Sequence, residues 1–388
     1  MERMKRMLED SAYVSLPSVL SVPSVDEKTS RHIAYFVSSH GFGHATRASA
    51  VMAAVHAREL NITFEIFSAA PEFVFGDSIT GLFNYHPGPT DIGLVQRSAL
   101  VEDLPATLAR LDEFYPFDSF LLRAWADWLG RLQCELVVCD IAPLGLAVAE
   151  LAGLPAVLIE NFTWDWIYRA YQAGTPGLER HADYLAGVFA TARYRLQAEP
   201  FCVPAKQADA RLHPIGRRPR GDVPATRAAL GLAEGERLVL VTLGGVPDQA
   251  PVPTGRLPDN GVVYALAGAA KTLRRDGPWL LLPHHSPVYY PDLLAASDAV
   301  IAKLGYSTLA EAYHVGVPFG YLPRAGFPES PILSAWAQRE MTAREVSTEA
   351  FLAGDWLAAA QDLLQLPAQT RRRPNGADQA AEFILDSL

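Results

Sequence analysis

Residues 298–311 read Asp298-Ala299-Val300-Ile301-Ala302-Lys303-Leu304-Gly305-Tyr306-Ser307-Thr308-Leu309-Ala310-Glu311. The apolar run from Ala299 to Ala302 predicts a buried strand, and Leu309, Ala312 and Tyr313 fall on one face of a following helix. Between them lies the turn Gly305-Tyr306-Ser307-Thr308. A glycine turn that feeds a strand into a helix offers free amides and the positive end of the helix dipole to an anion such as a phosphate. Glu311, one turn into the helix, is placed to accept hydrogen bonds from two ribose hydroxyls. The same pattern also fits a structural turn with a surface glutamate.

Working outward, strand-like runs at 33–38, 62–68, 135–139 and 156–159 alternate with helical runs at 47–60 and 144–151. This is the pattern of a parallel, doubly wound α/β sheet. Residues 213–224, rich in Pro, Gly and Arg, interrupt it, and further strands are predicted at 238–243, 262–266, 279–282, 299–302 and 319–322. The expected organisation is two α/β domains facing across a cleft, 31–216 and 237–388, joined by a linker at 217–236 and preceded by a disordered leader at 1–30. Ligands of such sheets lie beyond the carboxyl ends of the strands.

The 388 residues are 49% hydrophobic and 20% charged, enough to bury sizeable cores. A net charge of −10 argues against a nucleic-acid partner but allows a small anion held by local amides. Cys134, Cys139 and Cys202 are too few for a disulfide framework and lack zinc spacing, and Cys139 reads as a core residue. No apolar run is long enough for a signal peptide or membrane span, so the expected location is cytoplasmic.

The first strand ends in Ser38-Ser39-His40-Gly41-Phe42-Gly43-His44-Ala45-Thr46-Arg47. Gly41 and Gly43 open the main chain to a ligand without forming the G-x-G-x-x-G dinucleotide fingerprint. His44 either acts on a bound hydroxyl or is structural. Asp140 ends the third strand and so reaches the same rim. There it either accepts the imidazole N–H, fixing the tautomer of a base, or caps the helix that starts near Leu144. The fourth strand runs into Glu160-Asn161-Phe162-Thr163-Trp164-Asp165-Trp166-Ile167-Tyr168. Phe162, Trp164 and Trp166 suit a sugar ring or flat acceptor and Asp165 its hydroxyls, although a helix packed by its aromatics has the same pattern. Phe114, Tyr115, Phe117, Phe120, Trp125 and Trp128 read as core or a partner face; few basic residues accompany them, which gives a peripheral membrane contact little support. In the second half Gly244 and Gly245 repeat the strand-to-glycine turn, His284 follows the 279–282 strand where backbone can read a base edge, and Arg324 and Glu329 either reach phosphate and sugar hydroxyls or stay solvated.

Four stretches, His40 to Arg47, Ala70 to Phe75, Asn161 to Tyr168 and Ala296 to Ala312, together resemble the GT-B glycosyltransferases of the MurG type. The sequence is more closely similar to the glycosyltransferase-like N-terminal region of plant L-arabinokinases, from about Arg31 to about Met341, and lacks their kinase half. The resemblance implies two Rossmann-like domains and a nucleotide-sugar donor, by family habit UDP-linked, held mainly by the second. Gly305, Tyr306, Ser307 and Thr308 would cradle the diphosphate, Glu311 would hold the ribose and Glu329 would touch the donor sugar; Gly244, Gly245, His284 and Arg324 complete the expected donor site. His44 and Asp140 match the His–Asp dyad of plant-type family-1 enzymes. Acceptor contacts would come from His40, Gly41, Phe42, Gly43, Arg47, Phe162, Trp164, Asp165 and Trp166. One departure is Leu304-Gly305 where a His-Gly-Gly or Ser-Gly pair is common, which leaves the phosphate hydroxyl to Ser307 or Thr308. The implied activity is inverting sugar transfer with no metal, no Asp-x-Asp motif and no cofactor beyond the nucleotide-sugar co-substrate. The alternatives are a nucleotide-sugar-binding regulatory protein without transfer chemistry, and an epimerase or hydrolase that needs no acceptor.

Overall fold

The alternating apolar runs form strands buried on both faces, as parallel strands covered by helices require. The computed structural model describes residues 30–244, 250–253, 260–369 and 373–388. Gly245 and the leader before Ser30 lie outside the described residues. The first half contains β1 (Arg31–Val37), β2 (Ile62–Ser68), β3 (Phe83–Pro87), a small hairpin of β4 (Gln96–Ser98) and β5 (Val101–Glu102), then β6 (Cys134–Asp140), β7 (Ala156–Glu160), β8 (Tyr194–Ala198) and β9 (Ala210–Leu212). The second contains β10 (Arg237–Thr242), β11 (Val262–Leu266), β12 (Arg274–Asp276), β13 (Trp279–Leu281), β14 (Ala299–Lys303), β15 (Phe319–Leu322) and β16 (Ala343–Glu345).

Among the described residues these make two seven-stranded sheets, ordered β3-β2-β1-β6-β7-β8-β9 and β12-β13-β11-β10-β14-β15-β16. Within these two sheets all strand pairs are parallel except the edge pair β12–β13, and β4 and β5 form a separate antiparallel pair. Strand order reverses between β1 and β6 and again between β10 and β14, the places where such sheets open a crevice. Register puts Val37 beside Asp140 in one sheet and Thr242 beside Ala302 in the other. The sheet order and the covering helices bear out the GT-B architecture expected from the sequence.

Three local expectations change. The first helix starts at Gly43 rather than Arg47, which draws His44 into its first turn. The 217–236 stretch contains the helix Val223–Ala229, capped by the Asp222 side chain, and its Arg217 is buried. The last helix, Gly376–Asp386, returns to the first domain, where Ala377, Ala380, Ala381 and Ile384 join the core of Val51, Val55 and Leu136. Both passages of the chain between domains are tied together: Gly376 N donates to Pro214 O at 3.1 Å and Asn375 Nδ2 to Gly216 O at 2.6 Å. Phe36, Phe67, Trp125 and Trp128 interlock at centroid distances of 4.5–6.1 Å, so most of the second aromatic group is core. Cys139 is likewise buried.

Replacing Ile384 by Ala leaves a cavity between the last helix and the first. We expect a loss of about 2–4 kcal/mol in stability, read by urea unfolding, with the probe Trp125 in the first domain responding although Ile384 follows the whole second domain in sequence.

Candidate active site

The two crevices share one cavity of about 400 Å³, lined from the first domain by His40 to His44 and Phe162 and from the second by Thr242, Gly244, His284, Lys303 and Gly305 to Thr308. That volume falls within the range of small-ligand sites. Its floor is made where two helices, Gly43–His56 and Tyr306–Val315, point their N-termini inward. Neither N-terminus has a side-chain cap. Ser307 Oγ donates to Gly43 O at 2.6 Å, so this hydroxyl joins the domains before any ligand is bound.

His44 and Asp140 meet because β1 and β6 pair in parallel. His44 Nδ1 lies 2.8 Å from Asp140 Oδ1. An ionised carboxylate can only accept, so the proton sits on Nδ1 and Nε2 is left with its lone pair. Burial lowers the His44 pKa below the ordinary histidine value, against the opposing pull of Asp140. Burial alone would raise Asp140; the Arg47 charge and hydrogen bonds from Arg47 and His44 bring it below the usual carboxylate range. His44 is therefore neutral and Asp140 ionised near pH 7. His40 is held in the opposite sense: Leu94 N donates to its Nδ1 at 3.3 Å, which puts the ring proton on Nε2. Burial, then the nearby Arg324, drives the His40 pKa well down. The cavity thus presents one neutral imidazole as acceptor and another as donor. Gly93, at φ +60°, is what lets His40 sit there, since a Cβ would lie 2.8 Å from the His40 Cβ.

A model of glycosyl transferase family 1 matches residues 31–354. The chain belongs to that family. It is similar to L-arabinokinase of Arabidopsis thaliana, at 28% identity over 365 residues, 92% of this chain and 35% of that protein. It therefore spans about a third of that relative's length. Arabidopsis thaliana UGT89C1 in complex with UDP superposes with a TM-score of 0.57 at 11% identity, over 92% of this chain and 99% of that one. Acinetobacter baumannii MurG does so with a TM-score of 0.51 at 13% identity and the same coverage. These likenesses show the GT-B fold, and family membership places the chain among the glycosyltransferases.

Within that glycosyltransferase fold the residues singled out in the sequence fall into three groups. His40, Gly41, Phe42, Gly43, His44, Phe162, Gly244, His284, Gly305, Ser307 and Thr308 line the cavity. Others line it but are already engaged. Glu311 is buried and takes Arg217 Nε on Oε1 at 2.6 Å. Arg324 pairs with Glu102 and lies 3.8 Å over the Phe327 ring. Tyr306 donates its hydroxyl to Glu199 O at 2.9 Å, and Glu329 Oε1 accepts from Asn161 Nδ2 at 2.6 Å. Arg47, expected at the acceptor, is 1% exposed and bonds to Asp140 and Asn161. Asp140 does not line the cavity and is fully buried behind His44. The third group is off the cavity: a helix begins at Trp164, so only Phe162, in the turn before it, faces inward. Trp164 is core and donates Nε1 to Asp91 at 2.8 Å, while Asp165 and Trp166 are half-buried on the helix. Sequence reasoning missed Lys303, which lines the cavity as the last residue of β14, two residues before Gly305. Its position in the opening stretch was the available signal. It also missed Asn161, the link between Arg47 and Glu329.

Removing either member of the Glu311–Arg217 pair strands a buried charge. Glu311→Ala is expected to lower stability by about 3–5 kcal/mol without any ligand, read by denaturant unfolding of the ligand-free protein; a nucleotide-binding defect in this variant is interpretable only after that correction.

Proposed function

We propose that the protein transfers a sugar from a nucleotide-diphosphate sugar to a hydroxyl-bearing acceptor, with inversion and without a metal. The observation that carries this reading is the opposition, across one cavity, of a neutral His44 backed by Asp140 and the uncapped helix N-terminus at Gly305 to Thr308. The acceptor O–H gives its proton to His44 Nε2. Its oxygen forms the new bond to the anomeric carbon as the bond from that carbon to the diphosphate breaks, and the diphosphate leaves with the electron pair. Attack from the face opposite the leaving group inverts the anomeric centre. The amides and dipole of the helix at Tyr306–Val315, together with the Lys303 ammonium, stabilise the charge that develops on the diphosphate. His40, carrying its proton on Nε2, donates to an oxygen of acceptor or donor sugar.

Thr242 and Gly244 lie on the diphosphate side of the cavity, and the 282–286 loop with Phe42 and Phe73 encloses the base. His285 stacks on Phe73 at 4.2 Å and reaches Asp77 at 3.1 Å, which closes that end from both domains. UDP is the first nucleotide to test because the similarly folded UGT89C1 holds it. No helix among the described residues is long and apolar enough to cross a membrane, and the ligands of this reading are small molecules.

The test is a panel of UDP, dTDP, GDP and ADP sugars with hydroxylated acceptors, following nucleotide release and the anomeric configuration of the product. His44→Ala is expected to lower kcat by about 10²–10⁴-fold while calorimetry shows donor affinity within about twofold; unchanged turnover would reject His44 as base, and failure of every nucleotide sugar to bind would reject the donor site. The acid limb of kcat/KM reports protonation of His44. Because burial lowers that pKa, activity should persist below pH 6.5 and then fall as the pH drops.

A further inference from the structure

The His44–Asp140 pair has a third partner. Arg47, one turn along the helix from His44, donates Nε to Asp140 Oδ2 at 2.8 Å and Nη2 to Oδ1 at 2.6 Å. Both carboxylate oxygens are thus taken by one planar fork, and Oδ1 is shared with His44. Nη1 donates to Asn161 Oδ1 at 2.6 Å, and the Asn161 amide passes on to Glu329 Oε1 at 2.6 Å. The guanidinium lies 4.8 Å over the Tyr306 ring. An unbroken line of hydrogen bonds therefore runs from His44 in the first domain to a carboxylate of the second.

We propose that Arg47 is a positioning residue that fixes the Asp140 carboxylate against His44 and is itself held by Asn161 of its own domain, which Glu329 anchors from across the cleft. The proposal rests on His44 acting as the base of the transfer reaction. A buried Asp140 with His44 as its sole partner would draw a proton onto the imidazole, and a protonated imidazole takes no proton from an acceptor. Sharing the carboxylate with a guanidinium keeps Asp140 as the acceptor that fixes the tautomer, yet leaves His44 neutral. Lysine cannot replace it, because a single ammonium does not span both oxygens and Asn161 together. The titratable groups around the pair are His40 from the loop after β1, Tyr35 from β1, Cys139 from β6, Asp91, whose carboxyl burial pushes up to about 6, Tyr306 from the second domain, and Glu160 and Glu329 on the far side of Arg47.

Ring-nitrogen NMR of His44 in the ligand-free full chain tests this, in wild type, Arg47→Met and Arg47→Lys. In wild type His44 should keep its proton on Nδ1 and titrate below the ordinary value. In Arg47→Met the whole Asp140 charge falls on the imidazole, so His44 should titrate at higher pH than in wild type, and the acid limb of kcat/KM should move up with it. In Arg47→Lys the ring should lose its single tautomer and kcat should fall at least about tenfold, with donor KM changed less than about twofold. Thermal unfolding identifies which variants are folded; if the Met variant is not, the Lys variant decides. A folded Arg47→Met protein whose His44 titrates as in wild type, or an Arg47→Lys protein with wild-type tautomer and kcat, overturns the proposal. The NMR readings need no sugar transfer. A wild type that transfers nothing while Arg47→Met shifts His44 would therefore count against the transferase reading and in favour of this one.

Discussion

Parallel pairing of the central strands is the constraint on which the site depends. With β1 beside β6, Val37 comes level with Asp140, and the loop after β1 must turn over the end of β6 before its helix begins. The second sheet does the same with β10 and β14, bringing Thr242 and Ala302 level ahead of the Gly305 turn. Two helices then point their N-termini into one space and touch through Ser307 Oγ and Gly43 O. The main chain at both helix N-termini therefore contributes to the polar lining of the cavity. Main chain is set by the fold and costs nothing to reorganise when charge develops there.

The second constraint is charge without water. Asp140, Glu311 and Glu329 are buried carboxylates, and such groups persist only when paired or hydrogen-bonded. Each finds its partner far away in sequence: Arg47 lies 93 residues from Asp140, Arg217 lies 94 from Glu311, and Asn161 lies 168 from Glu329. The last pair joins the two domains, and burial holds the Glu329 pKa above the usual carboxylate range despite Asn161 and Arg324. Removing one partner of such a buried pair is costly because it leaves the other charge unpaired away from water.

These distances explain how much was legible in the sequence. Strands such as Val262–Leu266 and Phe319–Leu322 could be read to the residue because burial on both faces leaves a run without charged residues, and Ile62–Ser68 because β-branched and aromatic residues dominate it despite Glu65. His44 and Asp140 could be read as neighbours because strand ends of a parallel sheet share a rim. The partners of Arg47 and Glu311 could not be read, since a charge on a helix has the same local pattern whether it meets solvent or a partner about 90 residues away. Arg217 was hidden in a stretch whose Pro, Gly and Arg content resembles a loose connection. The aromatic loop was misread at Trp164 because helical spacing already placed Trp164, Ile167 and Tyr168 on one inward face.

The return of the last helix to the first domain has a mechanical meaning. The chain crosses between domains twice, near residues 213–217 and 373–376, and hydrogen bonds among His213, Pro214, Gly216, Asn375 and Gln379 lash the two crossings side by side. A single tether permits swivelling; two parallel tethers define an axle. Bound side by side, the two crossings constrain the relative motion of the domains more than either would alone. The second domain also has no free end of its own, being an insertion in the first, which makes the pair inseparable by any single cut of the chain.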